Sequence, residues 1–187
     1  MVGAVLTQNT AWRNVELSIT NLKQASALSA GAILESSHEQ LATWIKPSGY
    51  FNIKAKRLRN FCQWYVDQGG YDTLKHLKTN SLRERLLTVN GVGPETADDI
   101  ILYAFSRKVF VIDAYTRRIF SRLVISDADI DYVSLREIFE KALSKEKVKL
   151  FNEYHALIVM HGKDVCRVKP RCDECCLAKR CKQIGLV

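Results

Sequence analysis

The amino-acid sequence predicts an all-α fold. Apolar residues recur at steps of three and four along most of its 187 residues, which is the spacing of helices with one buried face. The only run with strand character is VFVID, residues 109–113, and it is too short to build a sheet. With 47% hydrophobic and 26% charged residues, the chain can bury a substantial core. We therefore expect one domain or two small lobes.

The chain begins with an apolar stretch, Met1 to Leu6, that leads directly into TQNT. A helix that starts in solvent is normally preceded by a polar cap, and none is present here. We therefore expect that the first residues lie inside a buried element and that an N-terminal helix is missing from this sequence.

Three further helices are predicted before residue 70. One carries Trp12 and Val15 on its buried face, and the next ends at KPSG, residues 46–49. The third runs from about Asn52 to Asp67 and ends at a Gly-Gly pair. Its buried face is predicted to contain Ile53, Leu58, Phe61, Cys62 and Tyr65, and its opposite face Lys54, Lys56, Arg57 and Arg59.

Serine residues predict the start of two later helices. Ser81 can cap a helix that follows the Gly-Gly pair, and Ser134 with Glu137 forms the S-x-x-E pattern of a capping box. A glycine hairpin lies between these two helices. In LLTVNGVGPETADDIILYAF, residues 86–105, Gly91 and Gly93 form a turn and Pro94 occupies a plausible first helical position.

This hairpin has the composition of a phosphate-binding turn. Glycines let backbone N–H groups approach a ligand closely, and the start of the next helix adds the positive end of its dipole. An ordinary helix–turn–helix corner explains Gly91 and Gly93 equally well.

Asp113 follows the buried VFVI run and precedes a basic segment with Arg117, Arg118 and Arg122. From the residues alone, its simplest role is to cap the next helix. A carboxylate held by apolar scaffolding near positive charge is also suited to chemistry, and the two roles can coexist.

Five of the six cysteines lie in the last twenty-two residues, within CRVKPRCDECCLAKRC. No membrane span or signal peptide is evident, so the protein is expected to be intracellular, in the cytoplasm or nucleoid, where clustered cysteines indicate a metal site rather than disulfides. The net charge of +8 favours an anionic partner. From Lys163 to Val187 there are seven basic and three acidic residues, so half of that net charge lies in this tail.

The sequence resembles the helix-hairpin-helix DNA glycosylases of the endonuclease III superfamily in three features. These are the hairpin GVGPETA, the aspartate of VIDAYTRRIF, which lies 18 residues after Glu95, and the terminal cysteine array. GAVLTQNT, KPSGYFNIKAKRL and the glutamate after GVGP are most similar to the 3-methyladenine DNA glycosylase III branch. The resemblance implies two helical lobes, residues 1–107 and 108–187, with a DNA-reading cleft between them. The implied partner is double-stranded DNA containing a damaged base, bound by a monomer.

The resemblance also implies the site residues. Asp113 matches the catalytic aspartate, Gly91, Gly93 and Thr96 match the hairpin that grips a backbone phosphate, and Gln8 matches a side chain inserted beside the flipped nucleotide. From sequence alone, a cap or turn residue is the favoured interpretation of Gln8.

Position 95 separates two kinds of glycosylase chemistry. Bifunctional members of the superfamily carry a lysine there, whose amine forms a Schiff base, and Glu95 has no amine. The resemblance therefore implies a monofunctional enzyme that uses water, with Asp113 and Glu95 in the catalytic site and an alkylated purine such as 3-methyladenine as substrate. Glu95 is also a favourable first-turn acid, whatever the function. The alternatives are a glycosylase for damaged or mismatched pyrimidines and a non-catalytic DNA-binding module.

Four cysteines match a [4Fe-4S] cluster loop: Cys166, Cys172, Cys175 and Cys181. Their first gap is one residue shorter than in endonuclease III, and Cys176 is a spare thiol. A structural zinc ion is the alternative, since four cysteines also suit tetrahedral zinc. The four histidines show no ligand spacing, and none is assigned a role.

Overall fold

The structure is a computed structural model that describes residues 1–182. Over this range the chain is helical and contains no β-strand, which confirms the predicted all-α class. The α-helices are α1 (Val2–Leu6), α2 (Trp12–Gln24), α3 (Ala30–Glu35), α4 (His38–Trp44), α5 (Phe51–Asp67), α6 (Gly70–Leu74), α7 (Thr79–Leu87), α8 (Pro94–Asp99), α9 (Ala114–Arg122), α10 (Tyr132–Ala142) and α11 (Val148–Asp164). No helix in this range is long and apolar enough to cross a membrane.

The chain divides into two units, Met1–Phe105 and Ser106–Val187. In the first unit α5 is the central helix, and α1, α3 and α4 pack on it. Apolar residues from these helices fill the core, with Leu6, Ile33, Leu41 and Leu58 fully buried. The hairpin between α7 and α8 belongs to this unit, so its position depends on the same core.

The prediction for Lys54 was wrong. Lys54 is only 2% exposed, whereas its neighbour Ile53, predicted to be buried, is 54% exposed. The Nζ of Lys54 donates hydrogen bonds to the carbonyl oxygens of Leu6 at 2.9 Å and Ser48 at 2.6 Å. These carbonyls end α1 and a 3₁₀ turn, where no helical partner is available. Burial, with a smaller contribution from Arg57, lowers the pKa of Lys54 to about 8.

The two predicted serine caps were also wrong, because both serines lie inside their helices. Helix α7 begins at Thr79, with Lys78 in the cap position. Helix α10 is capped by Asp131, whose carboxylate accepts hydrogen bonds from the amides of Val133 and Ser134. Aspartate at this position satisfies two first-turn amides and so starts the helix before the predicted point.

The second unit is built around α9, α10 and α11. The VFVID segment is an extended connection in which Phe110 is fully buried and stacks on Phe139 with ring centroids 4.1 Å apart. Helices α9 and α11 pack closely, and Gly162 lies against Tyr115, so that a Cβ at Gly162 would overlap the tyrosine ring. This close packing brings the start of α9, where Asp113 lies, against the buried face of α11.

Candidate functional site

The two hairpin glycines differ in backbone conformation and in the space around them. Gly91 has φ of +98°, a region that residues with a side chain rarely adopt, and a Cβ there would overlap the side chain of Arg57. Gly93 has φ of −94° and ψ of 180°, which any residue can adopt, and a Cβ there would meet nothing within 4 Å. The fold therefore requires glycine at position 91 only. At position 93, glycine leaves open space over the exposed start of α8.

Gln8 is bound to the hairpin within the first unit. Its Nε2 donates to the carbonyl oxygen of Gly91 and to Oγ1 of Thr96, both at 2.9 Å. Its Oε1 accepts a hydrogen bond of 2.6 Å from Arg57. The side-chain amide of Gln8 thus fixes the loop after α1 to the hairpin. Insertion of Gln8 into DNA, as the resemblance implies, requires these bonds to break.

Glu95 and Thr96 occupy the first turn of α8 but differ in exposure. Glu95 is exposed, and its carboxylate is at the end of the helix where the dipole favours negative charge. Thr96 is buried, with its hydroxyl bonded to Gln8, so its contribution to a phosphate site is limited to its first-turn amide.

Asp113 caps α9, as the simplest interpretation of its sequence position predicted. Its Oδ1 accepts hydrogen bonds from the amide of Thr116 at 2.7 Å and from the Thr116 hydroxyl at 2.8 Å. Its Oδ2 lies 3.7 Å from Nε2 of His155. Burial raises the pKa of Asp113, but His155 and the two bonds from Thr116 together outweigh burial and hold that pKa below its usual value. Asp113 is therefore a buried carboxylate that stays ionised at neutral pH.

His155 is a site residue that sequence reasoning missed. It lies on the buried face of α11 with Phe151 and Ile158, at helical spacing. A single histidine among apolar positions on one helix face was the available signal. That signal indicates a buried imidazole, but it does not identify the partner, which is 42 residues away along the chain.

The three arginines of α9 do not form the positive environment expected near Asp113. Arg117 donates to the carbonyl oxygen of Ile130, and Arg118 donates to those of Gly162 and Cys166. Arg122 is buried and donates to the carbonyl oxygens of Arg167 and Val168. Arg118 and Arg122 thus hold the end of α11 and the segment after it against α9.

The four predicted ligand cysteines line one small pocket, with Arg122 among the other lining residues. Nη1 of Arg122 lies 3.3 Å from Sγ of Cys166, and Nε2 of His161 lies 3.6 Å from Sγ of Cys175. Burial raises the pKa of the Cys175 thiol, and the charges of the neighbouring cysteines raise it as well. Cys176 is exposed and is not part of the pocket lining.

The lining of this pocket has the donor set of a group bound by four thiolates. The buried Arg122 guanidinium supplies positive charge that would offset the repulsion between the thiolates. Between residues 1 and 182, no three His, Cys, Asp or Glu side chains converge as ligands of a single metal ion.

Comparison with known families and proteins agrees with the resemblance in the sequence. The family model described as HhH-GPD superfamily base excision DNA repair protein matches residues 2–145. A protein of Methanocaldococcus jannaschii that bears the name of a DNA repair glycosylase is 47% identical over 97% of this chain and 83% of its own length. Endonuclease III of Sulfolobus acidocaldarius is 27% identical over 97% of this chain and 80% of its own length.

Solved structures share the fold. The 3-methyladenine DNA glycosylase (MagIII) of H. pylori, solved with 1,N6-ethenoadenine, superposes with a TM-score of 0.76 at 31% identity, covering 87% of this chain and 82% of its own. Endonuclease III in a non-covalent DNA complex gives a TM-score of 0.81 over 97% of this chain and 81% of its own, but at 20% identity it shows the fold alone.

Proposed function

The chain belongs to the HhH-GPD superfamily of base excision DNA repair proteins, and we propose that it is a monofunctional DNA glycosylase that removes an alkylated purine such as 3-methyladenine. The observation that carries this proposal is Asp113. It is a buried carboxylate held in the ionised form, with one oxygen fixed by Thr116 and the other directed at His155.

Asp113 would act on the sugar and on the attacking water. As the bond between C1′ and the base nitrogen breaks, its electron pair leaves with the base and positive charge develops on the sugar, which a nearby anion stabilises. The water oxygen then bonds to C1′, and the proton that the water loses passes to the carboxylate and on to solvent. The products are the free base and an abasic site in an intact strand.

Glu95 supports the monofunctional assignment. A lyase step in this superfamily needs an amine at this position to form a Schiff base with the sugar, and a carboxylate cannot form one. Water is then the nucleophile that the site has available. The acid also suits a cationic base, because opposite charges attract.

The similarity to the H. pylori 3-methyladenine glycosylase supports an alkylated purine as substrate. Such a base is cationic and leaves as a neutral molecule, so the site needs no acid to protonate it. The similarity to endonuclease III of Sulfolobus acidocaldarius favours a second candidate, removal of a damaged pyrimidine through the same Asp113 chemistry.

Double-stranded DNA is the proposed partner, with the hairpin as the phosphate-binding element. The open space at Gly93 and the exposed first turn of α8 support this role, since together they let an anion reach backbone amides. Gln8 would enter the duplex on release from the hairpin.

We also propose a [4Fe-4S] cluster bound by Cys166, Cys172, Cys175 and Cys181. The donor set of four cysteines and the buried Arg122 support an anionic cluster. When bound, the cluster would supply structural cross-linking of the loop and no redox step in base release.

The proposal is tested by base release from alkylated duplex DNA at neutral pH. Wild-type protein should release 3-methyladenine and leave abasic strands that break only after heat or base. Asp113→Asn should lower the rate roughly 100-fold or more while duplex binding is kept, because asparagine still caps α9 but carries no charge.

Asp131→Asn is the matched control, since Asp131 also caps a helix of the second unit. It should leave the rate of base release unchanged. Release of damaged pyrimidines but no alkylated purine would select the second candidate. Nicking by wild-type protein without heat would contradict the interpretation of Glu95, and activity in Asp113→Asn would contradict the role of Asp113.

A further inference from the structure

Helix α11 places His155 directly against the carboxylate at the start of α9. Nε2 of His155 and Oδ2 of Asp113 are 3.7 Å apart, which is close contact but longer than a hydrogen bond. Such contacts in ligand-free sites often shorten when substrate binds. Phe110 lies edge-on to the imidazole, with ring centroids 6.4 Å apart.

His155 is the titratable side chain that lies against Oδ2 of Asp113. Both side chains are about nine-tenths buried, and Coulomb interactions are stronger away from water. Across the part of the chain that is described, the influences on the pKa of Asp113 are burial, His155 and Thr116.

The other charged and titratable groups on the surrounding elements have partners of their own. Glu140 of α10 accepts a hydrogen bond from the amide of Phe110, and the phenol of Tyr132 lies 3.4 Å from the amide of Ile112. Tyr154, next to His155 on α11, packs against Phe110, and burial raises its pKa. The α9 arginines are bonded to backbone carbonyls, as described above.

We propose that His155 is the positioning residue of the reaction: it holds Oδ2 of Asp113 in place and keeps that carboxylate charged. This inference rests on the proposed function. Thr116 bonds only Oδ1, and His155 is the side chain that faces Oδ2, so a contact from His155 would further limit rotation of the carboxylate about the Cβ–Cγ bond. With both oxygens held, the anion is presented to the sugar in one orientation.

The role of His155 is indirect in the chemical step. The electron pair of the glycosidic bond leaves with the base, the water oxygen bonds to C1′, and the water proton passes to Asp113. His155 has no net gain or loss of protons or electrons. Its loss would leave a carboxylate that is less well oriented and more easily protonated, so base release should fail first on the acidic side of the pH profile.

The experiment compares His155→Asn and His155→Gln with wild type, with His76→Asn as a control at an exposed histidine of the first unit. Thermal unfolding confirms that each variant is folded. The titration of the Asp113 carboxyl is followed by carbon NMR, which needs no activity. Single-turnover and steady-state base release are then measured against pH.

In both His155 variants we expect the Asp113 carboxyl to titrate at higher pH and the acidic limb of base release to move in the same direction. We expect kcat to fall roughly 10- to 100-fold, with KM changed by less than about twofold. His76→Asn should match wild type in every measurement.

An unchanged Asp113 titration in a folded variant overturns the proposal, whatever its activity. If the Asp113 titration shifts but the acidic limb of the pH profile of base release does not, His155 has no role in the reaction. If wild-type protein releases no base from any duplex, the proposed function fails, while the carboxyl titration still decides whether His155 holds Asp113 as an anion.

Discussion

Asp113 uses its two carboxylate oxygens for different partners. Oδ1 completes the first turn of α9 through Thr116, while Oδ2 faces His155. A helix cap orients a carboxylate at no extra structural cost, because the same hydrogen bonds that start the helix also fix the side chain. The simplest sequence interpretation, a cap, is therefore compatible with the proposed chemical role.

Gly91 and Gly93 lie two residues apart, but the fold requires glycine only at position 91. Gly91 is needed by its positive φ and by its contact with Arg57. Nothing in the described structure requires glycine at position 93, where added bulk would enter open space. The proposed approach of a phosphate to the backbone would account for glycine there.

This difference predicts that alanine at position 91 lowers stability, whereas alanine at position 93 weakens DNA binding. Gly91→Ala should lower the free energy of unfolding by roughly 2 kcal/mol or more, through backbone strain and overlap with Arg57. Gly93→Ala should leave the unfolding midpoint unchanged and weaken binding to an undamaged duplex roughly tenfold, as expected for one lost contact to a charged phosphate. Denaturant unfolding and a fluorescence binding titration measure the two effects. Unaltered duplex binding by Gly93→Ala would show that the hairpin does not contact phosphate through this turn.

Helix α9 joins the proposed chemistry to the cysteine loop. Asp113 caps its start, and it ends at Arg122, whose guanidinium lines the cysteine pocket. Arg118 and Arg122 satisfy carbonyl groups of the loop that no regular secondary structure would satisfy. Arg118 and Arg122 are thus internal supports of the loop.

The proposed cluster predicts how three substitutions affect iron content. Purified wild-type protein should contain iron and acid-labile sulfide near four of each per chain, with broad visible absorption. Cys175→Ser should abolish both. Arg122→Gln should lower retained iron and raise its loss to a chelator, because a neutral side chain leaves the anionic group without its buried cation.

Cys176→Ser is the matched control, since Cys176 is exposed next to Cys175 and lies outside the pocket. Its iron content should equal that of wild type. One zinc ion per chain and no acid-labile sulfide would contradict the cluster and indicate a structural zinc site with the same four cysteine ligands.

Over the whole molecule, positive charge exceeds negative charge by eight, and half of the excess lies in the C-terminal tail. Arg171 of the tail lies 3.6 Å from Glu174, and Lys169 and Lys179 are exposed. Exposed lysines on a loop are available to contact phosphate, and such contacts release counterions when DNA binds.

The proposed tail contacts predict a change in the salt dependence of duplex binding. The logarithm of the association constant should fall linearly with the logarithm of salt concentration, and each lost phosphate contact should reduce the slope by about one. Lys169→Gln with Lys179→Gln should therefore reduce the slope by about two. Lys23→Gln with Lys78→Gln, at exposed positions of the first unit, is the charge-matched control. Equal slopes for wild type and the tail variant would mean that the tail is only a solvated surface.

Local sequence patterns predicted the helical class and the hairpin, because each depends on residues close together in the chain. The order of several such motifs along the chain predicted the family. They were wrong about Lys54 and about both serine caps. Lys54 occupies a position that helical periodicity assigns to solvent, yet two helix-end carbonyls compensate its burial. Ser134 fits a capping box, but Asp131 supplies a charged cap three residues earlier.

By itself, the sequence determined what this chain is made of: helices, a glycine turn, one aspartate after a buried run and an array of cysteines, enough to identify the superfamily. Only the tertiary structure decided which groups meet. Gln8 bonds to residues 83 and 88 positions away, Arg122 reaches Cys166 across 44 residues, and His155 faces Asp113 from another helix. Periodicity specifies which side of a helix is buried, but the partner of a buried polar group depends on how distant helices pack.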